Sequence, residues 1–415
     1  MSVEPQPNGR SGSRALSAVL DQGLSSVSNV LAVLVVARQL DAAAFGSFSV
    51  AYTALALFLG VSRAFFGLPL SLTAKDGPSA TTSFFHGAWA ALLVLSLPVF
   101  VVVAGVAYLL VQPATPGAVL AIVFVGLATP LIVLQDLGRY YALAIGRPQV
   151  ALLSDIVWLI GIVALFAVPA LAPGAILGLW LSIIIASLAV IVVVFRPAPR
   201  WSETRGHLRL RRGLRESVTG TVLLSSGTSL AVNGMATRSY GLELVGGMRG
   251  ASTAFGPVNT LITFLDFAVL PRLAGRPARE SGRLLWSAMA ACLFCSACWI
   301  TVLLLLPDAW GTWLLGDTWE RTRSILPITA IEYVLLTVAA VLSLALKARG
   351  AARALFVSKI ISSSAIVVGV VVVIAVGAPP LSVPAVLVMG ALTACAALAL
   401  ALLLARRKDK NHDRS

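Results

Sequence analysis

The sequence predicts an all-α integral membrane protein of about 12 transmembrane helices, built as two parallel-repeat six-helix bundles around a central cavity. Three observations predict it. Hydrophobic residues make up 58% of the 415 residues and charged residues only 12%, about half the charge of an ordinary soluble domain. Apolar runs of bilayer length recur along the whole chain. Lysine and arginine fall almost entirely in alternate connections between those runs.

A hydrocarbon core of roughly 30 Å takes about 20 residues of helix, and inside it only helices and closed barrels satisfy their own backbone. The runs at 90–110, 176–195, 366–376 and 383–405 are near-continuously apolar. Barrel strands would alternate apolar and polar residues, so helices are expected. The first half gives spans at 17–37, 44–66, 84–110, 116–137, 149–168 and 174–195. The second gives 217–237, 244–270, 284–306, 325–346, 354–376 and 382–405. The expected organisation is a cytoplasmic tail (1–16), a first six-helix bundle (17–195), a basic cytoplasmic linker (196–216), a second bundle (217–405) and a cytoplasmic tail (406–415). The polar opening MSVEPQPNGRSGSR lacks the cleavage site of a signal peptide.

Orientation follows from the basic residues. With the N-terminus inside, 24 Lys and Arg fall on the cytoplasmic side and four (Arg38, Arg238, Arg321 and Arg323) outside. This is the positive-inside bias, and it predicts both termini in the cytoplasm. It also accounts for the net charge of +14 through loops facing an anionic leaflet, so no nucleic-acid partner is called for.

Shifting the chain by 200 residues places Ser25-Ser26 on Ser225-Ser226, Arg38 on Arg238 and Gly46 on Gly246. Six spans per half make the repeat parallel, about an axis along the membrane normal. The polar residues follow it. Span one carries Asp21, Gln22, Ser25, Ser26 and Asn29, of which the last four share one helical face. Span seven carries Ser225, Ser229 and Asn233 at equivalent places. Such residues line a cavity or act as interhelical glue; their recurrence in both halves favours the cavity.

Asp21, Asp155, Asp266, Glu332, Arg63, Arg249 and Lys359 fall in or near spans. Arg249 lies about two turns into span eight, ahead of Gly256-Pro257 and Asn259. Proline kinks a helix, and a guanidinium beside a kink suits an anion; the alternative is an Arg that snorkels to the outer interface. Arg63 and Lys359 lie nearer the cytoplasmic edge, where snorkelling is the simpler reading. Asp155 and Lys359 occupy similar places in spans five and eleven, and would pair or each meet a loop.

Cys292, Cys295 and Cys298 repeat every third residue inside an apolar span, with no nearby fourth Cys; they read as small packing residues rather than cluster ligands. The three histidines form no set with carboxylates or a nucleophile, and no phosphate-binding glycine loop occurs. Neither cofactor nor metal is expected, and the chain does not read as an enzyme.

Two blocks carry a family resemblance. DQGLSSVSNVLAVLVVARQLDAAAFGSFSVAYTALALFLGVSRAFFG contributes Asp21-Gln22, Ser26, Asn29, Ala37-Arg38, Leu40, Phe45-Gly46 and Arg63. LQDLGRYYALAIGRPQVALLSDIVW contributes Gln135-Asp136, Arg139, Gly146-Arg147-Pro148, Asp155 and Trp158. Together they resemble polysaccharide-transport proteins, the Wzx-type lipid-linked oligosaccharide flippases of the MATE-like MOP (multidrug, oligosaccharidyl-lipid, polysaccharide) superfamily. The fit covers the first 160 residues closely and the remainder by topology. Five Lys against 26 Arg, with abundant Ala, point to a GC-rich bacterium.

The resemblance implies a polyprenyl-diphosphate-linked oligosaccharide, or a similar polysaccharide precursor, flipped across a bacterial plasma membrane by alternating access. It implies membrane lipids, a coupling H+ or Na+ and polysaccharide-synthesis enzymes as partners. Arg249 and Arg63 would meet the diphosphate. Ser25, Asn29, Ser225, Ser229 and Asn233 would meet sugars or water. Asp21, Asp155 or Asp266 would carry the ion. The chain departs from better-characterised lipid-linked precursor flippases in having few intramembrane cations. Rivals are a multidrug cation exporter of the same superfamily, a membrane enzyme using Asp308, Asp317 and Glu320 of the predicted loop 307–324, and a non-transporting component of a polysaccharide-synthesis complex.

Overall fold

The computed structural model describes residues 27–113, 115–168, 171–200, 212–273 and 278–412. Asp21 and Ser25 lie outside them. In the first half the helices are α1 (Val27–Gln39), α2 (Ala42–Asp76), α3 (Pro78–Val111), α4 (Pro116–Ala144), α5 (Pro148–Phe166) and α6 (Pro173–Phe195). In the second they are α7 (Arg212–Tyr240), α8 (Leu242–Ala254, resuming as Gly256–Ala268 and Leu270–Leu273), α9 (Ala278–Leu304), α10 (Trp319–Ala348), α11 (Ala352–Ala375) and α12 (Ser382–His412). No strand occurs among the described residues, and each predicted span overlaps one helix. The predicted loop 307–324 is largely helical, because Asp308–Leu315 folds into a short helix before α10.

Local chemistry sets the helix starts. Pro78, Pro116, Pro148 and Pro173 each open a helix, where the missing N–H costs nothing. The Asp41 carboxylate caps α2 by accepting from the Ala44 N–H at 2.8 Å. Gly146 and Gly350 turn the chain from α4 to α5 and from α10 to α11 with φ of 74° and 68°, a backbone that favours glycine.

Nine of the described helices are long and apolar enough to cross a membrane, which makes this a multi-pass membrane protein. Their outward faces are apolar, with Leu97 69% and Phe294 71% exposed, as lipid contact requires. The other three are α1, α7 and α8. Helix α7 is the more polar one, α8 is interrupted, and α1 is described from Val27 onward. These three helices line the two cavities described below, α1 one of them, α7 the other and α8 both.

Within the first half, α4 packs against α2, α3 and α6, and α6 against α5. Within the second, α12 packs on α10 and α11, α10 on α8 and α9, and α11 on α7. The halves meet where α2 crosses α7 and α8. At this crossing Gly46 abuts Leu242, and Gly246 abuts Ala42 and Phe45. The two contacts exchange under the same 200-residue shift that relates the halves in sequence.

The crossing lies at the end of the molecule where Arg38, Trp313 and Gly316 also pack together. The Arg38 guanidinium donates to the Phe166 carbonyl at 3.2 Å. It sits 5.5 Å from the Phe166 ring and 5.1 Å from the Trp313 ring, so it ties α5 to the short helix of the second half. Arg238 donates to the Leu109 carbonyl at 2.7 Å. The halves are therefore joined at this Arg38 end, which the charge bias predicts to face outward.

Candidate functional site

Helix α8 breaks at Phe255 because Pro257 has no N–H to offer the turn before it. Carbonyls near the break find other donors. The Trp299 indole donates to the Ala254 carbonyl at 2.9 Å, and the Tyr333 hydroxyl to the Ser252 carbonyl at 3.4 Å. Asn259 donates its amide to the Tyr333 oxygen at 2.9 Å, and the Phe255 and Tyr333 rings stack at 4.5 Å. The break is thus a held bend, with polar groups on both sides of it turned inward.

Two adjoining cavities open around this bend. One, of about 390 Å³, is lined by α1 through Asn29, Val30 and Val33, by Tyr52 of α2 and by α8 from Arg249 to Thr263. The other, of about 430 Å³, is bounded by α2, α7, α8, α10, α11 and α12. Arg249 and Ser252 line both and so stand at the junction.

Arg249 stacks on the Tyr52 ring, its guanidinium carbon 4.6 Å from the centroid. Its Nε is buried with no hydrogen-bond partner, and no acid among the described residues pairs with it. A buried cation that lacks a carboxylate is costly until an anion arrives. The guanidinium fork matches phosphate.

Glu332 of α10 and Lys359 of α11 line the wider cavity. No hydrogen bond or ion pair engages either side chain among the described residues, and no ion pair joins the two. Ser225, Ser229 and Asn233 line the same cavity. Asn233 also donates to Thr53 Oγ1 at 2.9 Å, which ties α7 to α2. Ser225 and Ser229 donate to carbonyls of their own helix at 3.0 and 3.3 Å, leaving oxygen lone pairs toward the cavity.

The first half treats its charges differently. Helix α2 widens into one π-type turn at Arg63–Gly67, which carries Arg63 to α4. There its Nε and Nη2 donate to the two Asp136 carboxylate oxygens at 2.9 and 2.8 Å. Arg139 lies 3.8 Å from Asp136 and pairs with Asp155 of α5 at 2.9 Å. Gln135, Ser154 and Ser187 continue the network toward α6, at 3.0 and 3.2 Å from the Gln135 amide. Two guanidinium groups and two carboxylates thus alternate.

The structure therefore brings Arg249, Asn29, Ser225, Ser229 and Asn233 to the two adjoining cavities. Arg63 and Asp155 lie in the ion-pair network instead. Asp155 pairs with Arg139, not with Lys359. The Asp266 side chain lies outside the described residues. Sequence reasoning missed Glu332, Lys359, Tyr52 and Asn259 as cavity residues. For Glu332 and Lys359 the signal was their charge within apolar runs.

No protein family matches the chain by sequence, and no curated protein does. Solved structures match it in fold. The inward-facing conformation of a multidrug resistance MATE family transporter of the MOP superfamily shares 12% identity over 94% of this chain and 96% of that one, with a TM-score of 0.70. The lipid II flippase MurJ in its inward closed conformation shares 12% identity over 94% and 87%, at 0.66. A MOP superfamily transporter from Pyrococcus furiosus, for which a reverse polarity of the binding pocket suggests a different function, shares 13% over 95% and 94%, at 0.61. At this identity the likeness is one of fold. The chain is a helical multi-pass membrane protein. Its fold is that of MOP superfamily transporters, with a cavity that presents an unpaired arginine.

Proposed function

We propose that the chain is a flippase that moves a polyprenyl-diphosphate-linked oligosaccharide, or a similar polysaccharide precursor, across the plasma membrane by alternating access of its two six-helix halves. The observation that carries this reading is Arg249, a buried guanidinium without a carboxylate at the junction of two polar cavities. A diphosphate supplies the anion it lacks, and Ser225, Ser229, Asn233 and Asn29 supply hydroxyl and amide partners for sugars. The lipid tail stays in the bilayer. Polysaccharide-synthesis enzymes would deliver and consume such a substrate.

Coupling falls to Asp21, Asp155 or Asp266, carrying H+ or Na+. The Asp155 pair with Arg139 would be lost on protonation, which links ion movement to the packing of α4 on α5. Arg63 would meet the diphosphate only after releasing Asp136.

Export of a lipophilic cation is the second reading. It is favoured by the unpaired Glu332 carboxyl and by the Tyr52 and Tyr333 rings at the cavities. Proteoliposomes decide between them. Gradient-accelerated movement of a fluorescent polyprenyl-diphosphate oligosaccharide to the opposite leaflet is the expected result. Movement of a lipophilic cation without movement of any lipid-linked sugar would select the exporter.

A further inference from the structure

The wider cavity holds two charges that Arg249 does not explain. Gly250 of α8 abuts Thr322 of α10, so Arg249 sits at the level of Thr322. Glu332 lies ten residues farther along α10, which at helical rise is about 15 Å. Lys359 stands seven residues into α11, while Glu332 stands sixteen before the end of α10. The turn between these helices spans only 349–351. Lys359 is therefore nearer that turn than Glu332 by about 14 Å of rise. Arg249, Glu332 and Lys359 are strung along one connected space in that order, with signs positive, negative, positive.

A protein that only needed packing would neutralise such groups against one another. The first half does this with Arg63, Asp136, Arg139 and Asp155. In the second half no ion pair among the described residues joins Arg249, Glu332 and Lys359, and each faces the cavity. Unpaired charges facing a cavity inside a membrane protein are retained where a ligand completes them. A ligand of hydroxyls alone would leave all three unpaired. Ser225, Ser229, Thr329 and Ser363 supply neutral polar lining.

We propose that Glu332 and Lys359 form a second binding site, for a part of the ligand that carries a protonated amine and, farther from the phosphate, an acid group. An amino sugar joined to a uronic acid has this chemistry. The ammonium donates to the Glu332 carboxylate, and the acid accepts from the Lys359 ammonium. This inference rests on the flippase reading, since it assigns the glycan of that same substrate.

The test is binding to purified full-length protein in detergent by microscale thermophoresis. The probes are three polyprenyl-diphosphate disaccharides: amino sugar–uronic acid, the same with its amine acetylated, and the same with its carboxyl reduced to an alcohol. For the unaltered protein, each modification is expected to weaken binding about 10-fold, the worth of one charge-assisted hydrogen bond. Glu332→Gln is expected to abolish the discrimination against acetylation alone, and Lys359→Gln that against reduction alone. Binding of all three probes within about twofold by the unaltered protein overturns the second site and leaves the flippase reading standing. Failure of all three to bind overturns the flippase reading itself. An equal loss for every probe in Glu332→Gln assigns Glu332 to something other than the amine and also overturns the proposal. The comparison of probes on the unaltered protein requires no variant to fold.

Discussion

Replacing Gly46 by alanine is expected to open the Arg38 end of the molecule. The added Cβ would stand 2.8 Å from the Leu242 side chain and closer still to the Leu242 carbonyl oxygen. Carbon atoms rest at about 3.5–4.0 Å, and the opposing group is backbone, so α2 and α8 must part. Overpacking of this kind costs about 1–3 kcal/mol. A cost of about 2 kcal/mol, borne only while the halves are joined, shifts the ratio of joined to parted forms about 30-fold. Gly246 offers an internal comparison at the same crossing. There an added Cβ meets Ala42 O and Phe45 Cδ1 at 3.4 Å, so Gly246→Ala is expected to cost no more than about 0.5 kcal/mol. The assay is double electron–electron resonance between spin labels at Tyr108 and Leu381, after replacement of the four native cysteines. Gly46→Ala should populate a longer distance that Gly246→Ala leaves almost empty. Equal responses from the two variants, or none from Gly46→Ala, would refute the argument from close approach.

Other predictions test the interior. Arg249→Gln is expected to weaken binding of a polyprenyl-diphosphate probe by about 10- to 100-fold, the worth of charge-assisted hydrogen bonds, as read by thermophoresis. Arg139→Met removes the cation that pairs with Asp155 and is expected to destabilise the protein by about 3–5 kcal/mol, seen as a lowered midpoint in thermal unfolding in detergent. Trp299→Phe removes the donor to the Ala254 carbonyl and is expected to cost about 1–3 kcal/mol, by the same measurement, without changing probe binding. Arg63→Ala is expected to lower stability less than Arg139→Met, because Asp136 keeps Arg139 at 3.8 Å, whereas Arg139→Met removes the cation paired with Asp155.

Much of the fold was legible because lipid imposes length. The runs at 90–110 and 176–195 could only be spans, and α3 and α6 cover them. The Gly256-Pro257 pair announced the bend in α8, since its backbone chemistry is local. What could not be read is which side of an apolar helix faces lipid. Both lipid and protein interior are apolar, so on α10 and α11 the inward face is marked only by a few polar residues at helical spacing, Thr329 with Glu332 and Lys359 with Ser363. The pairing of Arg63 with Asp136 joins residues 73 apart through a π-type turn, and nothing near Arg63 in sequence signals a partner. Arg249 was recognisable as an intramembrane cation beside a bend, whereas its stacking on Tyr52 depends on how α2 meets α8.

Gly46 against Leu242 and Gly246 against Ala42 is an isologous contact, the kind by which two identical subunits close a dimer. A unit of about 200 residues meeting a second copy of itself would make the same contact before any linker joined them. The two halves use their charges in opposite senses: the first pairs Arg63, Asp136, Arg139 and Asp155 in a packed network, while the second leaves Arg249, Glu332 and Lys359 open to the cavity. Asymmetry within a near-symmetric frame is what a ligand different from end to end would require of such a chain.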